Sequence, residues 1–188
     1  MEQSATQRPV ILLVDDNPHD VVLTRLAFRK VGIIDTIKLV KDGLEAMQYL
    51  SGVGIYADRQ MHPMPTLLLL DLNMPQTSGF DVLGWVRSQP LFQNLFVVVM
   101  SNSGESRDIQ QAYSLGADAY LVKPNRLSDL VGMMKSIKET CLHPASKRRA
   151  LAGSSVGPAV TESPAVTEST ATGAQTITGT VDCNSARA

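Results

Sequence analysis

The chain has 188 residues, of which 44% are hydrophobic and 19% charged, with a formal net charge of −1. That length holds one domain of ordinary size with residues to spare, and the balance suits a globular core without a basic surface for nucleic acid. The opening MEQSATQRPVILLVDD lacks a basic stretch followed by a long apolar one, and Val10–Val14 is too short for a signal peptide or a membrane span.

The two cysteines, Cys141 and Cys183, have no metal-type spacing and read as free thiols in a reducing cytosol, so a cytoplasmic location is expected. Residues 1–8 read as an N-terminal extension. The first strand is expected at Val10-Ile-Leu-Leu-Val14, an unbroken apolar run of the kind buried on both faces. Asn17-Pro18 with Asp20 supplies a cap, a proline at the first helical position and an acid in the first turn. The helix is filled by Val21, Val22, Leu26 and Phe28 and ends near Gly32. A weaker strand follows at Thr36–Val40. Asp42-Gly-Leu-Glu45 has the form of a capping box ahead of Ala46, Met47 and Leu50. The stretch Ser51–Pro65 (SGVGIYADRQMHPMP) is long for a connection and reads as a surface loop with a short helical turn.

The third strand is Thr66–Leu70, followed by a helix starting at Ser78-Gly-Phe-Asp81 and running through Val82, Leu83 and Val86. Leu95–Met100 is the fourth strand, and Ser103-Gly-Glu105 opens a helix with Ile109, Ala112 and Tyr113 on one side. The fifth strand is Ala119–Val122, and Asn125 caps a helix carrying Leu127, Leu130, Val131, Met134 and Ile137 at helical spacing. Strand and helix thus alternate five times, which predicts a doubly wound α/β sheet with helices on both faces. The domain is expected over 9–143. The tail, 144–188, has no aromatic residue and no period. It carries a perfect hexapeptide repeat, Pro158–Ser163 and Pro164–Ser169, and is expected to be disordered, with Lys147-Arg148-Arg149 solvated.

The chemistry lies in where polar residues fall. The first strand ends in Asp15-Asp16, the third in Asp71, the fourth in Ser101 and the fifth in Lys123. In a parallel sheet these are one edge, the carboxyl ends, where open α/β sheets hold ligands. Three carboxylates together repel unless neutralised, and an all-oxygen set suits Mg²⁺. Asp16 and Asp71 are expected as direct ligands, Asp15 either directly or through water, and the Asn73 backbone carbonyl completes the set. Asp71 can then attack a phosphoryl group while Lys123 absorbs charge and Ser101 donates a hydrogen bond, drawing its loop inward.

The segments ILLVDDNP, LLLLDLNMPQTSGFDVL, VVVMSNS and ADAYLVKP resemble the receiver domains of two-component response regulators over about residues 9–142. The first helix and the loop YADRQMHPMP are most similar to the small phytochrome-associated regulators that lack an output domain. The fold expected is therefore flavodoxin-like, with strand order 2-1-3-4-5 and five helices. The resemblance implies Asp71 as phosphoacceptor, Asp15 and Asp16 as the acidic pair, Ser101 and Tyr120 as switch residues, Lys123 as the phosphate-contacting lysine, and a cis bond before Pro124.

It further implies a switch that catalyses only its own phosphorylation and dephosphorylation. The partner would be a sensor histidine kinase, phytochrome-type included, or a histidine phosphotransfer protein. Homodimerisation would use the face of the fourth helix, fifth strand and fifth helix, with no nucleic-acid or membrane partner. Asn102 departs from the small residue usual at its position. A phosphatase of the haloacid-dehalogenase type would want a carboxylate where Asn73 stands. A passive binding module fits poorly with the complete acid–lysine set, and no glycine-rich cradle supports nucleotide binding.

Overall fold

Five short apolar segments pair in parallel in the order β2-β1-β3-β4-β5. They are β1 (Ile11–Val14), β2 (Ile37–Val40), β3 (Leu67–Asp71), β4 (Phe96–Ser101) and β5 (Ala119–Val122). The computed structural model describes residues 9–34 and 37–142. The expected extension 1–8, Thr36, the tail 144–188 with its repeat and basic run, and Cys183 lie outside the described residues. Between the strands run α1 (Pro18–Lys30), α2 (Gly43–Ser51), α3 (Gly79–Ser88), α4 (Ser106–Ser114) and α5 (Leu127–Cys141). No helix among the described residues is long and apolar enough to cross a membrane.

Alternation along the strands explains why both sheet faces are covered. Leu12, Val14, Leu68, Leu70, Val97 and Val99 point to one side, against Leu50, Val82, Leu83 and Val86 of α2 and α3 and Ala112 of α4. Ile11, Leu13, Leu67, Leu69, Val98 and Met100 point to the other, against Phe28 of α1 and Met134 and Ile137 of α5. Each such buried side chain contributes about 1.5–3 kcal/mol. The sheet order reverses between β1 and β3, so the carboxyl ends of those two strands flank a crevice.

Helix starts follow their local chemistry. Asn17 accepts from the His19 N–H with Pro18 inside the first turn. Ser78 and Asp81 form a reciprocal capping box. At α2, Asp42 accepts from the Glu45 N–H at 2.7 Å, but Glu45 returns its carboxylate to the N–H of Lys41 instead of Asp42. Three details differ from the sequence reading. On α1, Val22 is 64% exposed and Leu26 36%, because the buried stripe is set by Val21, Thr24, Ala27 and Phe28 at i, i+3, i+6 and i+7. On α4 only Ala112 is buried and Tyr113 faces outward. The position before α5 is held by Arg126, without a side-chain cap, in place of Asn125.

The segment 52–65 contains the expected helical turn, a 3₁₀ turn at Gly54–Tyr56, and is pinned to α2. Arg59 donates to the Tyr49 and Leu50 carbonyls at 2.8 and 2.6 Å, supplying a donor to Leu50 at the end of that helix and a second one to Tyr49, which also accepts from the Gly52 N–H at 3.1 Å. Tyr56 donates to Glu45 at 2.5 Å and Tyr49 to the Pro63 carbonyl at 3.0 Å, with His62 edge-on to both rings.

Candidate functional site

The chain turns at the carboxyl edge of the sheet bring the site together. β1 runs straight into Asp15, whose own N–H still pairs with the Val40 carbonyl of β2 at 3.2 Å. Its carboxylate accepts from the Asn17 N–H at 2.9 Å, so the side chain is fixed by the turn that leads into α1. Asp71 is the last residue of β3 and is likewise buried. Asp16 is exposed at the mouth. Oxygen atoms of Asp15, Asp16 and Asp71 all lie within 4.8 Å of one another, a donor set fit for a hard divalent cation.

Lys123 follows β5, and its N–H donates to the Ser101 carbonyl at 2.8 Å, anchoring it beside β4. From there its ammonium, 8% exposed, reaches back across the sheet edge to Asp20 (2.8 Å), Asp15 (2.9 Å) and Asp71 (3.2 Å). The Lys123–Pro124 bond is trans, since the described residues contain no cis peptide, and this corrects the expected cis bond before Pro124.

The electrostatics follow from burial and crowding. Burial pushes the Asp15 carboxyl above the usual carboxylate range; the nearby charge of Asp71 adds to this, and Lys123 offsets only part of it. Burial works to lower the Lys123 pKa, but hydrogen bonds to Asp20 and Asp15 and the charge of Asp71 outweigh it, so the net shift is upward and the ammonium stays charged.

The hydroxyl side of the crevice is built by β4. Ser101 is wholly buried and its Oγ accepts from the Ser103 N–H at 3.1 Å. Tyr120, half-buried in β5, donates to the Ser103 carbonyl at 2.8 Å, and burial raises its phenol pKa. Both expected switch residues therefore grip the same loop between β4 and α4. Asn102 is exposed beside them. The Asn73 N–H lies 3.4 Å from Asp71 Oδ1, which places that backbone at the site.

Two residues at this edge escape sequence reasoning. Asp20 is legible there only as a helix-start acid, yet it makes the shortest contact to Lys123. Gly79 opens α3 against the end of β3, its N–H donating to the Leu72 carbonyl at 3.1 Å. A Cβ there would stand 2.2 Å from the Asp71 carbonyl oxygen and 2.7 Å from Leu72 Cα, so only glycine permits this approach. The Ser78-Gly79 pair was the available signal. In the same loop Gln76 adopts φ +69, the left-handed region.

Comparison with known proteins agrees with this geometry. The response regulator receiver domain profile matches residues 11–135. The chain is 33% identical over 150 residues to the response regulator Rcp1 of Synechocystis sp. (strain ATCC 27184 / PCC 6803 / Kazusa), spanning 78% of this chain and 100% of that one. Among solved structures it is similar to the phosphorylated cyanobacterial phytochrome response regulator RcpA, with a TM-score of 0.66 and 37% identity over 72% of this chain and 94% of that one. It is similar also to RPA3017, a response regulator in red light signaling of R. palustris, with a TM-score of 0.67 and 34% identity over 70% and 92%. The Mn²⁺-bound form of Rcp1 matches with a TM-score of 0.64 and 34% identity over 72% and 96%.

Proposed function

The chain belongs to the response regulator receiver domain family, and on that premise we propose that it is a phosphorylation switch whose Asp71 accepts a phosphoryl group from a sensor histidine kinase or a histidine phosphotransfer protein. One observation carries the reading: Lys123 after β5, Asp15 and Asp16 after β1 and Asp71 at the end of β3 meet at one crevice, with the ammonium 3.2 Å from Asp71. A phosphorylated relative and a Mn²⁺-bound one support the same chemistry.

Asp16 and Asp71, with Asp15 directly or through water and the Asn73 carbonyl, would hold Mg²⁺, which when bound neutralises charge on the phosphoryl oxygens. A carboxylate oxygen of Asp71 attacks phosphorus, and the P–N bond to the donor imidazole breaks. The electron pair returns to the ring nitrogen, which takes a proton from water, leaving an aspartyl phosphate. Lys123 pairs with a phosphoryl oxygen. Ser101 gives up its bond from the Ser103 N–H and turns its hydroxyl proton toward the phosphoryl group.

Because Tyr120 holds the Ser103 carbonyl, the loop and the ring move together. The face of α4, β5 and α5, where Tyr113 and Val122 are exposed, then changes its affinity for a partner or a second copy. The likeness to phytochrome regulators favours a phytochrome-type kinase. The chain catalyses only its own phosphorylation and dephosphorylation. Incubation with acetyl phosphate and Mg²⁺ should give one phosphoryl adduct by intact mass in the wild type and none in Asp71→Asn. A wild type as unlabelled as the variant refutes the reading.

A further inference from the structure

An ammonium group has three donors, and those of Lys123 face three carboxylates of different standing. Asp15 and Asp71 belong to the oxygen cluster fit for a divalent cation, whereas Asp20 does not. Asp20 sits in the first turn of α1, and among the described residues Lys123 is its one hydrogen-bonding and ion-pair partner, at 2.8 Å. A divalent cation among the clustered oxygens competes with Lys123 for Asp15 and Asp71 and repels its charge. Left with those two partners alone, a flexible four-carbon stem would have no reason to stay in the crevice. Asp20 keeps its carboxylate for the lysine whatever occupies the cluster.

We propose that Asp20 is a positioning residue for phosphoryl transfer, holding the Lys123 ammonium over Asp71 from the start of α1 while the other two carboxylates are engaged. The inference rests on Asp71 as phosphoacceptor. It makes the Lys123 position a joint property of α1 and β5. The sequence element responsible is the acid three residues after Asn17.

The test compares wild type, Asp20→Asn, Lys123→Met and the double variant for labelling by acetyl phosphate with Mg²⁺. Asp20→Asn should label about tenfold more slowly, the scale of losing one hydrogen bond to a charged group. In the Lys123→Met background the same change should alter the rate less than about twofold, since the group being positioned is gone. A second readout is independent of turnover: with Mg²⁺ alone, the Lys123 ammonium signal in ¹H–¹⁵N spectra should persist in wild type and broaden in Asp20→Asn. Asp20→Ser, which keeps a helix-start residue, serves if Asp20→Asn folds poorly. Equal labelling by wild type and Asp20→Asn overturns the proposal, as does an equal slowing with and without Lys123. A wild type that takes no label, like Asp71→Asn, removes the phosphoacceptor reading itself and the proposal with it, a result distinct from failure of Asp20 alone.

Discussion

Replacing Lys123 with methionine removes the one cation that the described structure places against Asp15 and Asp71 while keeping most of the apolar stem. Both carboxylates are buried, at 3% and 4% exposed, and neither can recover its solvation by a small rotation. Breaking a buried pair by deleting one partner costs about 3–5 kcal/mol. The arm to Asp20, whose side chain is 23% exposed, adds less to that stability than the two buried arms, because solvent screens it in part. With a urea slope of about 2 kcal/mol per molar, the unfolding midpoint in chelator should fall by about 2 M.

Part of the cost is escaped by proton uptake. Asp15 already sits above the ordinary carboxylate range, so the folded variant binds a proton that the unfolded chain does not, and the deficit shrinks as the pH falls toward the acid side. Mg²⁺ should return more stability to Lys123→Met than to wild type, because it supplies the missing charge to the same oxygens. Urea titrations in chelator and in saturating Mg²⁺ give all four midpoints. A fall of less than about 0.5 M in chelator, or an equal Mg²⁺ gain in both proteins, would show that the ammonium is not what holds these carboxylates together.

Gly79→Ala sets a methyl group against the Asp71 and Leu72 backbone and should lose about 2–3 kcal/mol in thermal unfolding and slow labelling of Asp71; unchanged stability would mean that α3 can back away at no cost. Arg59→Met leaves the Leu50 carbonyl without its donor and takes one of two from the Tyr49 carbonyl, costing about 1–3 kcal/mol and exposing residues 52–65 to limited proteolysis before the rest of the chain. Digestion at the wild-type rate refutes the clamp. The Tyr49 phenol is pushed up to about 12 by burial, with Arg59 pulling the other way. An unfolded tyrosine titrates near 10, so the native state keeps a proton that the unfolded chain loses, and stability declines as the pH rises from about 10 toward 12. The absorbance titration of wild type minus that of Tyr49→Phe should show a midpoint near 12; a midpoint near 10 contradicts the burial.

The strand–helix alternation and the placing of Asp15, Asp16, Asp71, Ser101 and Lys123 at strand ends were readable because unbroken apolar runs such as Thr66–Leu70 mark strands and the next polar residue marks their edge. What was not readable depends on direction in space. Val22 and Leu26 are apolar, but their phase on α1 turns them outward, while Thr24 takes a buried place. The partnership of Asp20 with Lys123 spans 103 positions and follows only from how α1 leaves β1. Gly79 is legible as part of a helix start through the Ser78-Gly79 pair, but that the strand end lies against its Cα follows only from the fold. A cis peptide before Pro124 is implied only by the family resemblance and by no local residue, and there the structure differs.

The segment joining α2 to β3 leaves from the end of the sheet remote from the carboxylates, and its bonds run mainly to α2 itself through Arg59, Tyr56 and Tyr49. Ile55 at its tip is 78% exposed. A fluorophore or an epitope spliced at that tip would ride on one helix as luggage, leaving the phosphoryl machinery undisturbed. The protein thus offers a handle by which its switching could be watched from the far side.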